Sequence, residues 1–193
     1  AYPLFTYSHL FSDDIDIYKG KNHIYGHLDG LKFEYSQVYA SRKTNKEYVT
    51  FSGVFIIVAL PKSSSTTTLV YPRLTDEQNS PPNLNYQRAR LEDPEFERAF
   101  DAYSDDQVGA RDHLTTTMKE NILKLVDFLP AKPFLSFRGQ RLHIAIPSPS
   151  RLRAPLFHSV FDPMIMDRFF EELDMIVTIP EILGLTNTST SAR

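Results

Sequence analysis

Two histidines at helical spacing are the first residues in this sequence that suggest a chemical role. His23 and His27 lie four residues apart, which on a helix would place two imidazoles over one metal ion. The residues around them alternate between apolar and polar types, and this pattern predicts a strand. Four residues of a strand span about 13 Å, too far for two ligands that each lie about 2 Å from one zinc ion. The sequence therefore predicts no metal site at this pair.

A cluster of carboxylates is the second candidate. It consists of Asp101, Asp105, Asp106 and Asp112. Oxygen ligands of this type suit hard cations, but the residue pattern of an EF-hand loop is absent. Asp105 and Asp106 stand where the N-terminus of a helix favours negative charge, and Ser104 before them has the spacing of a capping box. The sequence thus predicts that this cluster begins a helix.

Nucleophilic catalysis has few candidate residues. The chain contains no cysteine, which excludes thiolate nucleophiles, disulfides and cysteine-bound metals. No serine stands in a glycine-flanked elbow, and no glycine-rich phosphate loop occurs. His113 and His143 are possible general bases, but we place His113 in a helix connection and His143 on the outer face of a hairpin strand. A catalytic site would have to be assembled by folding.

The elements that position these residues begin with strands. Between Tyr18 and Tyr71, short runs of β-branched and aromatic residues predict four strands. Asp29-Gly30 predicts a tight hairpin turn between the first two. The third, from Tyr48 to Leu60, is apolar on both faces after Gly53 and must be central and covered, and Thr66 to Tyr71 forms the fourth.

Helical periodicity follows in the second half of the chain. Asp93 before Pro94 predicts the start of a short helix, and the capping-box spacing that begins at Thr117 predicts another. A last amphipathic helix is predicted from Asp162 onward, with Pro180 kinking or ending it.

One hairpin is predicted among these helices. Its strands are Phe134 to Phe137 and Leu142 to Ile146, with Gly139 in the turn between them. The order of elements predicts an α+β fold with a mainly antiparallel sheet packed against helices. We expect a single domain over residues 1–185, strand-rich in 18–72 and helix-rich with a hairpin in 91–185, and then a polar tail over 186–193.

Charge and hydropathy exclude nucleic-acid binding and a membrane-spanning helix. The chain carries 21 basic and 24 acidic residues, and its acidic surplus lies between Asp76 and Leu129. A nucleic-acid-binding domain needs a surplus of basic residues, so we exclude nucleic acid. The longest apolar run, Val54 to Leu60, is far shorter than the roughly 20 residues of a membrane-spanning helix.

Three stretches carry a resemblance to a known family: Leu91 to Phe100, Tyr103 to Arg111, and Leu142 to Pro147. Through them the chain resembles the bacterial membrane-associated family known as domain of unknown function 3137, over about Tyr18 to Leu185. Members typically carry hydrophobic membrane segments ahead of this region. The resemblance implies the soluble portion of a membrane-anchored bacterial protein, and it implies no activity, cofactor or catalytic residue.

Our leading hypothesis is a non-catalytic interaction or scaffold domain that binds a protein partner near the membrane, without cofactor or metal. Its candidate interaction surface consists of four residues: Asp101, Asp105, Asp106 and Arg111. One alternative is a hydrolase in which His113 or His143 works with serine or aspartate residues. Another is a small-ligand or lipid-binding domain with a cavity between the sheet and the last helix.

Overall fold

The computed structural model describes residues 2–43, 47–73, 81, 85–148 and 174–186. The helices are α1 (Tyr2–Tyr7), α2 (Pro94–Ala99), α3 (Gln107–His113) and α4 (Thr116–Phe128), and residues 174–182 are also helical. The strands are β1 (Ile17–Leu28), β2 (Leu31–Lys43), β3 (Glu47–Pro72), β4 (Gln87–Arg88), β5 (Phe100–Ser104) and β6 (Phe134–Pro147). No helix in these ranges has the length and apolar character needed to cross a membrane.

The strands form one six-stranded sheet. Its order is β1-β2-β3-β5-β4, and β6 pairs with the other side of β3. Every pairing among the described strands is antiparallel. The predicted α+β fold with a mainly antiparallel sheet is therefore confirmed.

The turn between β1 and β2 forms as its sequence predicts. Asp29 and Gly30 both have positive φ, at 49° and 82°, and the flanking residues Leu28 and Leu31 are paired. A two-residue hairpin turn with positive φ at both positions matches the twist of the strands beside it.

β3 is one strand where the sequence predicts two. It runs unbroken from Glu47 to Pro72, and along one edge it pairs first with β2 up to Val58 and then with β5 from Thr68. The predicted central position is confirmed, but the predicted break between Leu60 and Thr66 is wrong. The backbone stays extended there, and the excess residues are taken up as register irregularities against β6.

β6 is also continuous, so the predicted hairpin around Gly139 is wrong. It pairs with β3 on both sides of Gly139, from Gly53 opposite Pro147 to Val70 opposite Leu135. Gly139 has a φ of 60° and lies opposite Ser64, inside the irregular part of the ladder. A glycine with positive φ serves a bulge as well as a turn, and the sequence alone does not separate the two.

The sheet is covered on both faces. On one face, Phe96 of α2, Ile122 and Leu125 of α4, and Ile179 pack into a core with residues of β3 and β6 such as Ile144. On the other face, a second core contains residues of the N-terminal segment and of the sheet: Phe5, Leu10, Phe51, Phe55 and Ala145. The sequence predicts no element before Tyr18, yet α1 and the chain after it cover this second face.

Side-chain caps begin three of the helices. Asp93 caps α2 by accepting a hydrogen bond from the Phe96 amide at 3.1 Å, as predicted. The cap of α3 is Asp106, because Ser104 is the last residue of β5 and donates to the Thr67 carbonyl. α4 begins at Thr116, just before the predicted start, and its cap is Thr115.

The last predicted helix lies partly within the described residues. Its predicted start at Asp162 falls outside them, whereas residues 174–182 are helical and continue past Pro180. Ile176, Ile179 and Leu183 are buried against the first core, as expected of an amphipathic helix. Of the predicted tail, only Thr186 is described.

We expect Gly53→Ala to lower the free energy of unfolding by about 2 kcal/mol or more. A Cβ atom at this position would lie 2.1 Å from the carbonyl oxygen of Ile146 in β6, and backbone there has no room to move. Urea denaturation measures the effect. Gly26→Ala is the matched control, because its Cβ would make only ordinary contact with the Phe33 ring, at 3.4 Å. Equal stability losses in the two variants would contradict the β3–β6 pairing described above.

Candidate functional site

A pocket opens where β3 and β6 fall out of register. Its volume is about 460 Å³. Four elements line it: α1 with Tyr7; β2 with Lys32, Phe33 and Glu34; β3 with Ile57, Ala59 and Ser63; and β6 with Arg138, Gly139, Gln140 and Arg141. Cavities of this size accommodate small organic ligands.

The irregular ladder creates this space. Ala59 is paired with Arg141, and the next pair along is Ser64 with Gly139. β3 therefore has four residues between these pairs where β6 has one. The excess residues of β3 interrupt the regular pairing with β6, and Ser63 among them lines the pocket.

The same irregularity brings two arginines to one aromatic ring. In a regular strand, residues three apart point to opposite faces. Around Gly139 this alternation is broken, and the guanidinium carbons of Arg138 and Arg141 lie 4.3 and 5.9 Å from the centre of the Tyr7 ring. Arg138 also donates a hydrogen bond to the Tyr7 carbonyl oxygen at 2.7 Å. α1 is thereby fixed to β6 at the pocket.

The charged lining is mainly basic. Lys32, Arg138 and Arg141 supply three cations, and Glu34 supplies one carboxylate. Glu34 also lies 3.5 Å from the Nε2 atom of His23 on the neighbouring strand. Within the described ranges, none of the three cations forms an ion pair. The pocket therefore has positive charge available for a ligand.

His143 lies beside the pocket and is fully buried. It pairs with the pocket residue Ile57, and its ring centre is 5.9 Å from that of Tyr7. Nδ1 donates to the Ser136 carbonyl at 3.3 Å, and Nε2 has no hydrogen-bond partner in the described part of the chain. Burial lowers the pKa of this imidazole from 6.5 to about 4. The predicted position of His143 on an outer face is wrong, because the N-terminal segment covers that face.

His113 makes the one close imidazole–hydroxyl contact among the histidines predicted as bases. Its Nδ1 atom lies 2.9 Å from Oγ1 of Thr68, and its ring stacks on Phe137. Burial lowers the pKa of His113. Thr68 is fully buried within β3, and neither residue lines the pocket described above. This geometry suits the packing of α3 on the sheet better than attack on a substrate.

His9 and Tyr86 form a further contact that the sequence did not suggest. Nδ1 of His9 and the Tyr86 hydroxyl share a hydrogen bond, which joins the N-terminal segment to the chain ahead of β4. Burial, followed by the positive charge of Arg138, lowers the pKa of His9. No spacing in the sequence signals this pair, because its members are far apart along the chain.

The four residues of the predicted interaction surface lie around β5 and the start of α3. Asp101 accepts a hydrogen bond from Arg88 at 2.6 Å and lies 3.4 Å from Arg73. Asp105 accepts from the Thr67 amide at 2.9 Å, Asp106 caps α3, and Arg111 is exposed on α3. Asp101 lies on β5, and Asp105 follows the last residue of this strand. The interaction surface stays a prediction.

The other predicted site features lie on strands or outside the pocket. His23 and His27 are both on β1, the element that we predicted. In the described part of the chain, no group of three or more histidine, aspartate or glutamate side chains is arranged to hold a metal ion. The pocket residues themselves were missed, because Tyr7, Lys32 and Arg138 come from three distant parts of the chain.

Comparison with known proteins identifies the family. A model described as "Protein of unknown function (DUF3137)" matches residues 49–185, which is more than half of the chain. The chain belongs to the DUF3137 family. The predicted resemblance is thereby confirmed, and the pocket strands β3 and β6 both lie within the matched region.

Two further comparisons add little to this assignment. No curated protein matches this DUF3137 chain. Among solved structures, the mycobacterial trehalose monomycolate transport factor A, TtfA, matches with 10% sequence identity and a TM-score of 0.45, over 84% of this chain and 73% of that one.

Buried His143 gives the fold a defined dependence on pH. The unfolded chain binds a proton near pH 6.5, whereas the fold resists protonation down to about pH 4. The stability that neutral His143 contributes is therefore present above pH 6.5 and is lost as the pH falls towards 4, by about 1 kcal/mol per pH unit. Urea denaturation at several pH values measures this effect in the native chain and in His143→Leu. The free energy of unfolding of the native chain, minus that of the variant, should fall as the pH is lowered from 6.5 to 4.

His27→Gln is the control for this experiment, because it removes an exposed histidine of β1 and leaves His143 intact. We expect this variant to follow the native pH dependence. A difference between the native chain and His143→Leu that stays constant from pH 7 to pH 4 would contradict the neutral, buried state of His143.

Proposed function

We propose that this DUF3137 chain forms a non-catalytic binding domain whose site is the pocket between α1, β2, β3 and β6. The observation that carries the proposal is the composition of the lining. Ile57 and Ala59 of β3 lie beside charged residues of β2 and β6 in one cavity of about 460 Å³. Small-ligand sites typically combine apolar walls with a few polar groups that orient the ligand.

The histidines support a binding role over catalysis. A general base must reach the proton that it removes from a substrate, directly or through one water molecule. His143 is fully buried, and the Thr68 hydroxyl that contacts His113 is fully buried as well. Neither histidine lines the pocket. The hydrolase alternative therefore gains no support from the geometry of these residues.

The location of the pocket differs from the one expected for a ligand-binding domain. We expected a cavity between the sheet and the last helix. In the described part of that interface, Ile176, Ile179 and Leu183 are buried at 3%, 0% and 2% exposure and belong to the first core. The pocket lies instead beside α1, which favours a site that the N-terminal segment helps to form.

A protein partner near a bacterial membrane is the second proposal. Val108 supports it, because this residue is 66% exposed on α3, next to Asp106 and near Arg111. Protein interfaces typically place apolar side chains inside a rim of polar and charged ones. The membrane location rests on the family resemblance.

A pocket-filling variant tests the first proposal. The neutral fluorescent probe N-phenyl-1-naphthylamine should bind the native chain saturably at one site, because it can occupy the apolar wall. Ala59→Phe should abolish this binding by filling the pocket, and far-ultraviolet circular dichroism should confirm that the variant is folded. The chain has no tryptophan, so the fluorescence of the probe is free of that background.

Val49→Phe is the matched control, because it adds the same side chain to the same strand at an exposed position outside the pocket. We expect it to bind the probe as the native chain does. Probe binding that survives Ala59→Phe, or that is lost equally in both variants, would contradict the proposed site.

Photo-crosslinking in intact bacterial cells tests the second proposal. A benzoylphenylalanine residue in place of Val108 should give an adduct of one defined mass. The same residue in place of Tyr25, which is 72% exposed on β1, is the control and should not give that adduct. Identical adducts from both positions, or none from position 108, would contradict an interface on α3.

A further inference from the structure

We infer that the ligand of the pocket carries a phosphate monoester group, bound by Arg141, Arg138 and Lys32, on an organic body that covers the apolar wall. This inference rests on the proposed function and specifies the class of ligand. It joins two features of one cavity, an excess of cations and an adjoining apolar surface.

The charge of the lining selects the charge of the ligand. Three cationic side chains face one carboxylate, so the pocket has a formal surplus of two positive charges. A phosphate monoester carries about −1.5 to −2 at neutral pH and matches this surplus. A carboxylate or a phosphodiester would neutralise only half of it, and a cationic ligand would be repelled.

The arginines are suited to a tetrahedral anion. Guanidinium groups present several N–H donors in one plane and bind phosphate oxygens in pairs. Arg141 has its ring contact with Tyr7 and makes no hydrogen bond or ion pair to another described residue. Its N–H donors thus have no partner within the described ranges. Arg138 uses one donor for the Tyr7 carbonyl and retains the others.

The organic body of the ligand follows from the apolar residues of the lining. Ile57 and Ala59 supply apolar surface in the same cavity. Free inorganic phosphate would leave this wall in contact with water. A phosphate attached to a hydrocarbon or similar group would cover the wall and gain the free energy of apolar burial. The ligand is thus an organic phosphate, either soluble or part of a lipid headgroup.

Displacement of the neutral probe measures this preference. Hexyl phosphate should displace N-phenyl-1-naphthylamine at concentrations at least about tenfold lower than 1-hexanol or inorganic phosphate. Its phosphate binds the cations, and its hexyl chain contacts the apolar residues. Arg141→Gln and Lys32→Gln should each reduce this preference severalfold, and Arg141→Lys should retain part of it. Arg90→Gln is the control, because it removes an exposed arginine that lies between β4 and α2, outside the pocket.

The two possible sources of the phosphate are separated with vesicles. Co-sedimentation with phosphatidylcholine vesicles that contain phosphatidic acid, lost in Arg141→Gln and absent without phosphatidic acid, would assign a lipid headgroup. Displacement by hexyl phosphate without vesicle binding would assign a soluble organic phosphate. Both results support the inference.

Two results would overturn it. If 1-hexanol displaces the probe as well as hexyl phosphate does, the pocket binds ligands without regard to phosphate, and the proposed function stands without this inference. If both Arg141→Gln and Lys32→Gln keep the native preference, the phosphate is bound elsewhere. Failure of the native chain to bind either the probe or hexyl phosphate, measured directly by calorimetry, would overturn the proposed function as well.

Discussion

The long antiparallel ladder between β3 and β6 is the constraint on which the rest of the structure depends. It joins Gly53 to Pro147 at one end and Val70 to Leu135 at the other, and it is covered by a separate core on each face. The two strands contain unequal numbers of residues between their paired positions near Gly139. The ladder therefore cannot close there, and the pocket occupies the resulting gap. The pairing that builds the core also determines where a ligand site can form.

Local signals in the sequence predicted local structure well. The Asp29-Gly30 turn and the Asp93 cap depend on residues within a few positions of each other, and both form as predicted. The predictions that failed for β3 and β6 depended on distant partners. Gly139 and the polar residues between Leu60 and Thr66 have the composition of turns, yet both stretches lie within long paired strands. The local sequence of a strand does not specify which other strand will pair with it.

The candidate site was less accessible to prediction than the fold. Tyr7 lies in a segment without periodicity, and Arg138 and Arg141 stand at a spacing that a regular strand would place on opposite faces. His143 shows the same limit, because its strand alternates as an exposed-faced strand would, and the residues that cover it come from the N-terminus. In the sequence, the spaced histidines and the carboxylate cluster are the visible candidates for a site. In the structure, the residues that line a pocket are instead the cations near Tyr7.

The topology of β3 has a consequence for synthesis of the chain. Gly53 and Pro147 lie nearly half the chain length apart, so β3 leaves the ribosome well before its partner β6 has been made. During that interval an apolar strand has an open edge, which other chains can pair with. Formation of this sheet therefore waits for distant residues, as in other sheets with non-local pairing.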